Sequence, residues 1–230
     1  MFKIKEDRRS ASWWHRTNHW ANRAGNRICR ILDGQATSYS YDSRNRLLSL
    51  LQEDTGQKTK FEYDRQGNLI LEQSHLGTTA YAYDAFNRTS KVLLPDGSYM
   101  EHGYDPEGLR SWVNENGLAS RFVYDGWNLI SELDGEHQVK TSYVRGHELL
   151  AQMNRQGDSY YYLNNEHGDV MRITNRLGGI LNSYEYDAFG QTVSSSESIP
   201  NRFRYVGEQF DAITQQYYLR ARSKSRYLGK

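Results

Sequence analysis

A short motif, Tyr-Asp, recurs along this 230-residue chain at a nearly constant spacing. The first five copies lie 22, 20, 21 and 20 residues apart, and the sixth follows after 62 residues, close to three periods. A fixed period of this length is typical of a repeat protein, in which each unit packs on its neighbours. We interpret the motif residues as structural anchors of the repeat. They are Tyr41, Asp42, Tyr63, Asp64, Tyr83, Asp84, Tyr104, Asp105, Tyr124, Asp125, Tyr186 and Asp187.

Degenerate copies of the motif fill the long gap and extend the series upstream. We place two of them at Tyr143 and Tyr162, which gives intervals of 19, 19 and 24 residues. A further copy is placed at Trp20, which lies 21 residues before Tyr41. The series then covers most of the chain.

The pattern within each repeat predicts a β-hairpin. An aromatic residue usually stands two places before the Tyr, and alternation along a strand puts both rings on one face. The Asp can cap a tight turn by accepting hydrogen bonds from nearby backbone N–H groups. A residue type that tolerates a left-handed backbone then follows. These residues are Gly67, Gly108, Gly190, Asn45 and Asn87.

A second turn signal, such as Asn116-Gly117, comes about ten residues after the first. Two strands per repeat predict about 16 strands, and open sheets rarely exceed about 10 strands without curling. The sequence therefore predicts an all-β fold, in which tandem β-hairpins form a curled or spiral antiparallel sheet.

Composition excludes other classes of protein. Aromatic residues make up 13% of the chain, which is more than disordered proteins contain. No apolar run approaches the roughly 18 residues that span a bilayer, so we expect no membrane insertion. The first ten residues lack the apolar region of a secretory signal peptide. The single cysteine, Cys29, permits no intrachain disulfide.

Charge is distributed unevenly. Residues 1–50 carry 10 Lys and Arg against 4 Asp and Glu, and residues 201–230 carry 7 against 2. Residues 51–200 are acidic, and the net charge of the whole chain is +1. Basic ends can bind nucleic acid. Here the arginines are scattered among aromatic residues without a recognition motif, so we expect no nucleic-acid partner.

The repeats resemble the YD repeats of the Rhs family, whose pattern is Tyr-Asp-x2-Gly-Arg-Leu. The resemblance is clearest at YDSRNRLLSL, YDRQGNLILE and YDAFGQTV, and the stretch ending in YYLRAR at Tyr217–Arg222 resembles the Rhs repeat-associated core. It divides the chain into four segments. These are a non-repeat segment at 1–19, YD repeats at 20–160, a core-like segment at 161–222 and a divergent tail at 223–230.

The resemblance implies a non-enzymatic structural segment of a shell, with no catalytic, cofactor-binding or metal-binding residue of its own. In bacterial polymorphic toxins, including wall-associated proteins of contact-dependent inhibition, such a shell encloses a C-terminal toxin. The implied partners are the rest of a larger Rhs polypeptide and its toxin domain, in a secreted or cell-surface protein. After YYLRAR the family continues with the aspartates of a self-cleavage segment, from which Ser223–Lys230 departs. A truncated member without that segment or toxin is therefore expected.

An alternative interpretation is a cell-wall or glycan-binding module, in which exposed rings such as Trp112 and Trp127 stack on sugars. Two other patterns suggest chemistry more weakly. His15 and His19 have a spacing seen in zinc sites, with Cys29 nearby, but no second ligand pair accompanies them. The segment from Glu166 to Asp169 could hold an acid–base pair, but no nucleophile is paired with it. We therefore predict no metal, cofactor or catalytic site.

Overall fold

The computed structural model describes residues 2–5, 17–32, 34–187, 190–220 and 223–224. Within these residues it contains 22 β-strands and one 3-10 turn. Strands that follow one another in the sequence pair antiparallel, as in β-hairpins. The predicted all-β class is therefore confirmed. Across the same residues, no helix is both long and apolar enough to cross a membrane.

Two compact units make up the chain. The first contains Met1–Tyr83 and Leu93–Gly97, and the second contains Asp84–Val92 and Ser98–Lys230. The boundary between them falls inside the range 20–160 that the sequence assigns to YD repeats. The division of the sequence into four segments stays a prediction.

The first unit is a meander in which each strand pairs with the next along the chain. Its buried apolar side chains include Leu47, Leu50 and Phe61. The strands are β1 (Phe2–Lys5), β2 (Thr17–Ala21), β3 (Arg27–Leu32), β4 (Gln35–Tyr41), β5 (Leu47–Gln52), β6 (Lys58–Tyr63), β7 (Leu69–Ser74) and β8 (Gly77–Tyr83).

The second unit continues the same pattern and holds the larger core, which includes Met100, Val113, Leu129, Val170 and Ile173. Its meander runs through β9 (Thr89–Leu93), β10 (Tyr99–Tyr104), β11 (Arg110–Glu115), β12 (Leu118–Asp125), β13 (Asn128–Leu133), β14 (Val139–Arg145), β15 (Leu149–Asn154), β16 (Ser159–Asn164), β17 (Val170–Asn175), β18 (Ile180–Tyr186) and β19 (Thr192–Glu197). A separate small sheet follows, with strands β20 (Gln209–Asp211), β21 (Gln216–Tyr218) and β22 (Ser223–Lys224).

A β-bulge recurs at the end of the first strand in successive hairpins. The pairing register shifts between Ser40 and Tyr41, between Glu62 and Tyr63, and at the matching place in later hairpins. A bulge bends a strand and increases its twist. Its position also identifies the equivalent residue in each hairpin where it occurs.

This register corrects the positions of the degenerate copies. Arg145 and Asn164 follow the bulge where other repeats have the motif Tyr, so the copies placed at Tyr143 and Tyr162 were two residues too early. The upstream equivalent is Ala21 rather than Trp20. The error arose because Tyr143 and Tyr162 occupy the aromatic position that precedes the anchor by two residues. The spacing is more regular with the corrected residues.

The predicted turn chemistry is confirmed in most repeats. Asp42 Oδ1 accepts hydrogen bonds from the backbone N–H groups of Arg44 and Arg46, both at 2.9 Å. Asp84 makes the same pair of bonds in its own turn. The expected left-handed residues have φ between 61° and 94°, as at Asn87 and Gly67.

Asp125 departs from that prediction. It lies inside β12 and pairs with Asn128 across a two-residue turn formed by Gly126 and Trp127. The turn at this repeat is therefore shorter than the five-residue turns that begin at Asp42 and Asp84. Trp127 occupies its tip and is 64% exposed.

We expect Asp84→Ala to destabilise the chain by about 1–2 kcal/mol, because it removes two backbone hydrogen bonds and the ion pair with Arg88. Asp84→Asn should cost clearly less, since an amide oxygen caps the equivalent turn at Asn165. Urea-induced unfolding of the two variants measures the difference. Equal urea midpoints for the Asp84→Ala and Asp84→Asn variants would contradict the capping role.

Candidate functional site beneath the C-terminal segment

In the second unit, the chain after β19 packs against one face of the meander. We call residues 199–218 the C-terminal segment. Its side chains Phe203, Phe210, Tyr217 and Tyr218 are buried. The face beneath it carries buried rings that precede the anchors by two residues, namely Phe122, Tyr143, Tyr162 and Tyr184. The pattern of alternating aromatics thus builds the surface on which this segment lies.

Arg110 is the most deeply buried charge at this contact, with none of its side chain exposed. Its Nη1 donates to Asp211 Oδ2 at 2.7 Å, and its Nη2 donates to Gln209 Oε1 at 2.9 Å. The backbone N–H of Arg110 donates to the Tyr218 hydroxyl at 2.9 Å, and the guanidinium lies 4.3 Å from the centre of that ring. These contacts tie β11 to both β20 and β21.

A second buried arginine, Arg202, reaches the meander from the C-terminal segment. It binds both carboxylate oxygens of Glu132, with Nε–Oε2 at 3.1 Å and Nη2–Oε1 at 3.0 Å. Glu115 accepts a further bond from Nη2 at 3.2 Å. Paired arginine–carboxylate bonds of this kind fix orientation as well as adding energy. We call Arg110, Glu132, Arg202 and Asp211 the buried ionic cluster.

Electrostatics in the cluster favour the charged state of Glu132. Burial by itself would raise the pKa of this carboxyl group, but Arg202 and Lys140 outweigh burial and lower the pKa to about 2. Lys140 Nζ lies 2.9 Å from Glu132 Oε1. Glu132 therefore stays ionised at neutral pH while almost fully enclosed. An enclosed charge is tolerated only with such partners.

Cations also pack on the aromatic rings of the contact. The Arg204 guanidinium lies 4.0 Å from the centre of the Phe210 ring, and Arg145 lies 4.7 Å from the centre of the Phe203 ring. Tyr143 and Phe203 meet edge to face, with centroids 4.9 Å apart. These arrangements add attraction beyond the burial of apolar area.

Polar side chains satisfy the backbone where the chain crosses from β19 onto the meander. Asn182 Nδ2 donates to the Ile199 carbonyl at 2.9 Å, and its Oδ1 accepts from the N–H groups of Ser198 and Ile199. Gln152 Nε2 donates to the Pro200 carbonyl at 3.0 Å. Because the backbone groups of this crossing are bonded, the segment can be buried without a large desolvation penalty.

The residues near His167 take part in the same contact. Asp169 Oδ1 accepts from the Val206 N–H at 2.9 Å and lies 2.9 Å from His167 Nδ1. Asp169 thus holds a turn of the C-terminal segment. Gly190 has φ +81°, and a Cβ there would lie 2.4 Å from the Tyr205 ring, so close packing requires glycine.

The motif tyrosines perform a different task, which is to join each hairpin to the one before it. Tyr41 Oη donates to the Arg27 carbonyl at 2.8 Å, and Tyr63 Oη donates to the Leu47 carbonyl at 2.9 Å. Equivalent bonds join Tyr83 to Leu69, Tyr104 to Thr89, Tyr124 to Arg110 and Tyr186 to Val170.

The degenerate repeats keep this bond with other donors. Arg145 Nε donates to the Leu129 carbonyl at 3.3 Å, and Asn164 Nδ2 donates to the Leu149 carbonyl at 3.1 Å. A hydrogen-bond donor is therefore present at the anchor position in the repeats from Tyr41 to Tyr186, whereas Ala21, the upstream equivalent, has no side-chain donor. That the anchors carry the stability of the repeat is our proposal from these contacts.

Tyr124 connects the two kinds of contact. Its hydroxyl donates to the Arg110 carbonyl at 3.1 Å and accepts from Gln209 Nε2 at 3.2 Å. One anchor is thus bonded both to the preceding hairpin and to the C-terminal segment. Burial is the main reason that the pKa of the Tyr124 hydroxyl is raised.

The candidate metal ligands and the tryptophan predicted from the sequence do not belong to the buried ionic cluster. His15 falls outside the described residues, as does the side chain of His19. Among the residues that the structure describes, no group of three His, Cys, Asp or Glu could hold a metal ion. Trp112 lies across Gly103, where an added Cβ would come within 1.7 Å of the indole nitrogen.

The buried ionic cluster could not be recognised from sequence patterns. Arg110 and Asp211 are 101 residues apart, and Arg202 and Glu132 are 70 residues apart. Alternation gave no signal for Glu132, because Leu129 and Glu132 are both buried although they lie three residues apart on β13, where a strict period of two puts them on opposite faces. A buried charged residue needs a partner.

Comparison with known proteins places the chain among repeat proteins. A family model described as Teneurin YD-shell matches residues 21–111 and 91–224. The chain is 32% identical over 210 residues to the tRNA3(Ser)-specific nuclease WapA of Bacillus spizizenii, and 32% identical over 210 residues to the tRNA nuclease WapA of Bacillus subtilis (strain 168). Each match covers 86% of this chain and 9% of the relative.

More distant matches share the repeat region. Salivary gland surface protein 1 of Aedes aegypti is 26% identical over 213 residues, which cover 83% of this chain and 6% of that protein. The crystal structure of TcdB2-TccC3-Cdc42 matches 94% of this chain and 15% of that chain, with a TM-score of 0.52 and 16% sequence identity. This structural match shows similarity of fold.

We expect Asp211→Ala to destabilise the chain by about 3–5 kcal/mol, because it leaves the Arg110 guanidinium buried without its carboxylate. The double variant Arg110→Met with Asp211→Leu should recover most of that loss, since it removes both charges together. Urea-induced unfolding measures both variants. A double variant as unstable as Asp211→Ala would argue against the buried pair as the cause.

Acid should weaken the cluster in a defined pH range. Because the folded-state pKa of Glu132 is about 2, below its ordinary value of 4.5, its stabilisation is complete above pH 4.5 and is lost as the pH falls towards 2. We expect the unfolding free energy of Glu132→Gln to decrease less steeply with falling pH across this range than that of the wild-type chain. Glu136→Gln, at an exposed position, is the control and should leave that slope unchanged. Identical slopes in all three proteins would contradict the assignment.

Proposed function

This chain belongs to the Teneurin YD-shell family, and we propose that it forms part of the wall of a protein shell built by a larger secreted or cell-surface polypeptide. The observation that carries the proposal is the C-terminal segment, buried against the meander through Arg110–Asp211 and Arg202–Glu132. In such a wall the side chains act by packing and pairing. No reaction step is required of them.

The proposed wall has no catalytic role of its own. Two of the curated relatives are named tRNA nucleases, but the matched region is 9% of their length. The same region is shared with a mosquito salivary gland surface protein that is not named a nuclease. We infer that the nuclease activity named for the bacterial relatives belongs to other parts of those proteins. The partner of this chain would then be a toxin domain of the same polypeptide.

The chemistry of the C-terminal contact supports a structural role. Asp169, which is hydrogen-bonded to His167, is also bonded to the backbone of Val206. Arg110, Glu132 and Arg202 are all engaged in short bonds with oppositely charged groups. These groups hold the C-terminal segment in place, which is what a wall requires.

Glycan binding is the competing interpretation, and it relies on Trp112 and Trp127. The ring of Trp127 is 64% exposed at the tip of a turn and is accessible to a sugar. Trp112, in contrast, packs over Gly103 within the sheet. One of the two rings is thus engaged in sheet packing, and the wall proposal accounts for more of the structure.

Hydrogen exchange of the complete chain tests the proposal. If the C-terminal segment is an integral part of a wall, we expect the amides of Phe210 and Val206 to exchange as slowly as those of the central strands. Asp211→Ala should accelerate exchange in residues 199–218 far more than in the first unit, which serves as the internal control. Exchange of this segment at the rate of a free peptide would overturn the wall proposal.

The same preparation tests the absence of catalysis. Incubation with total tRNA should give no cleavage above the blank. Cleavage by the wild-type chain that disappears in His167→Ala would overturn the non-enzymatic role, because that imidazole is the candidate base beside Asp169.

A further inference from the structure

Two successive turns of the first unit enclose a cleft at the edge where the motif tyrosines end their strands. The turns are 42–46 and 64–68, and the cleft between them is open, with a volume of about 390 Å³. Three arginines line it, namely Arg44, Arg46 and Arg65. The proposed wall function makes no use of this cleft.

The two carboxylates of the cleft are already engaged by the turns. Asp42 accepts the N–H groups of Arg44 and Arg46, and its Oδ2 lies 2.7 Å from Arg46 Nε. Asp64 accepts the N–H and the Nδ2 of Asn68, both at 2.8 Å. Hydrogen bonds within the turns thus offset much of their negative charge, and Arg46 is the lining arginine that the described contacts pair with one of these carboxylates.

The three arginines of the cleft differ from the carboxylates and from one another in their exposure and pairing. Arg44 and Arg65 are exposed, and neither makes an ion pair within the described part of the chain. Arg46 donates Nη1 to the Asp64 carbonyl at 3.4 Å and packs 5.0 Å from the centre of the Tyr63 ring. Arg46 is therefore held by contacts to both turns and joins one turn to the next.

A third turn extends the basic edge. The preceding turn, 22–26, has Asn22 where the others have Asp, and it carries the exposed Arg23. Asn26 Nδ2 donates to Asn45 Oδ1 at 2.7 Å and so joins this turn to the next one. Adjacent turns are two strands apart, or about 10 Å. Arg23, Arg44 and Arg65 therefore follow one another along about 20 Å of the same edge.

The equivalent turns after Tyr83 and Tyr104 in the second unit carry no arginine at their tips, although Arg88 keeps the place of Arg46. The positions that match Arg44 hold Phe86 in the turn after Tyr83 and Glu107 in the turn after Tyr104. The positive charge at the turn tips is thus a property of the first unit. It is not a general consequence of the repeat.

We propose that this edge of the first unit binds a linear polyphosphate-type anion, one phosphate of which occupies the cleft between Arg44, Arg46 and Arg65. A guanidinium group matches two oxygens of a phosphate. Arg44 and Arg65 offer two guanidinium groups at the cleft that are unpaired in the described part of the chain, and Arg46, which is paired with Asp42, lines it between them. Single contacts with exposed arginines are weak. A chain of phosphates that reaches successive turns gains affinity because each further contact is intramolecular.

Calorimetric titration of the complete chain with short-chain inorganic polyphosphate, at low and at physiological salt, tests this proposal. We expect the double variant Arg44→Gln with Arg65→Gln to bind about tenfold more weakly, in keeping with two weak exposed contacts. Inorganic phosphate alone should bind far more weakly than the chain anion. The affinity of the wild-type chain should fall as salt is raised.

The matched control is Lys58→Gln with Lys60→Gln, which removes two exposed charges from the same unit outside the cleft. It should retain wild-type affinity. If both double variants lose the same affinity for polyphosphate, binding reflects general charge attraction and the proposed site is wrong. The absence of binding to the wild-type chain at low salt would also overturn the site. Thermal unfolding checks that both variants fold. Hydrogen exchange of the C-terminal segment, which tests the wall, is independent of this result.

Discussion

One recurring hydrogen bond runs from the side chain that ends the first strand of a hairpin to a backbone carbonyl of the hairpin before it, and we propose that the stacking of the repeats depends on it. Tyr63 donates to Leu47, and Tyr83 donates to Leu69. A sheet edge has unpaired groups and a single hairpin has little core, so each unit needs its neighbour. The bond at this position sets how one hairpin stacks against the next. The adjacent bulge directs the chain into the turn that the Asp then caps.

The buried ionic cluster builds on that regularity. Because the aromatic two places before each anchor always faces the same side, four hairpins present one continuous surface of rings in the second unit. The C-terminal segment covers this surface and brings Arg202 and Asp211 to it, where they pair with Glu132 and Arg110 of the meander. Tyr124 belongs to both systems, since the same hydroxyl bonds the preceding hairpin and Gln209. The stacking of the hairpins and the packing of the C-terminal segment thus share one hydroxyl group.

Most of the fold could be predicted from the sequence, because its signals are local. Alternation, the Tyr-Asp motif and the Gly or Asn that follows it specify hairpins over short distances. The errors occurred where the type of a residue does not match its structural role. Tyr143 is aromatic but is not an anchor, Arg145 is an anchor but is not aromatic, and Asp125 follows a tyrosine without opening the usual turn. The ionic cluster was out of reach because Arg110 and Asp211 are joined only by the completed fold. The cleft between Arg44 and Arg65 likewise needs two turns placed side by side.

The substitution of arginine and asparagine for tyrosine at the anchor has a consequence for how such proteins change over time. From Tyr41 to Tyr186 the position holds a donor that reaches a carbonyl, and three chemically different side chains serve there, while Ala21 at the upstream equivalent has no donor. Individual units can therefore drift until their motif is unrecognisable while the hairpin count and the spacing persist. Motif searches will undercount the units in such chains, and a comparison based on strand register is the sounder guide to their ancestry.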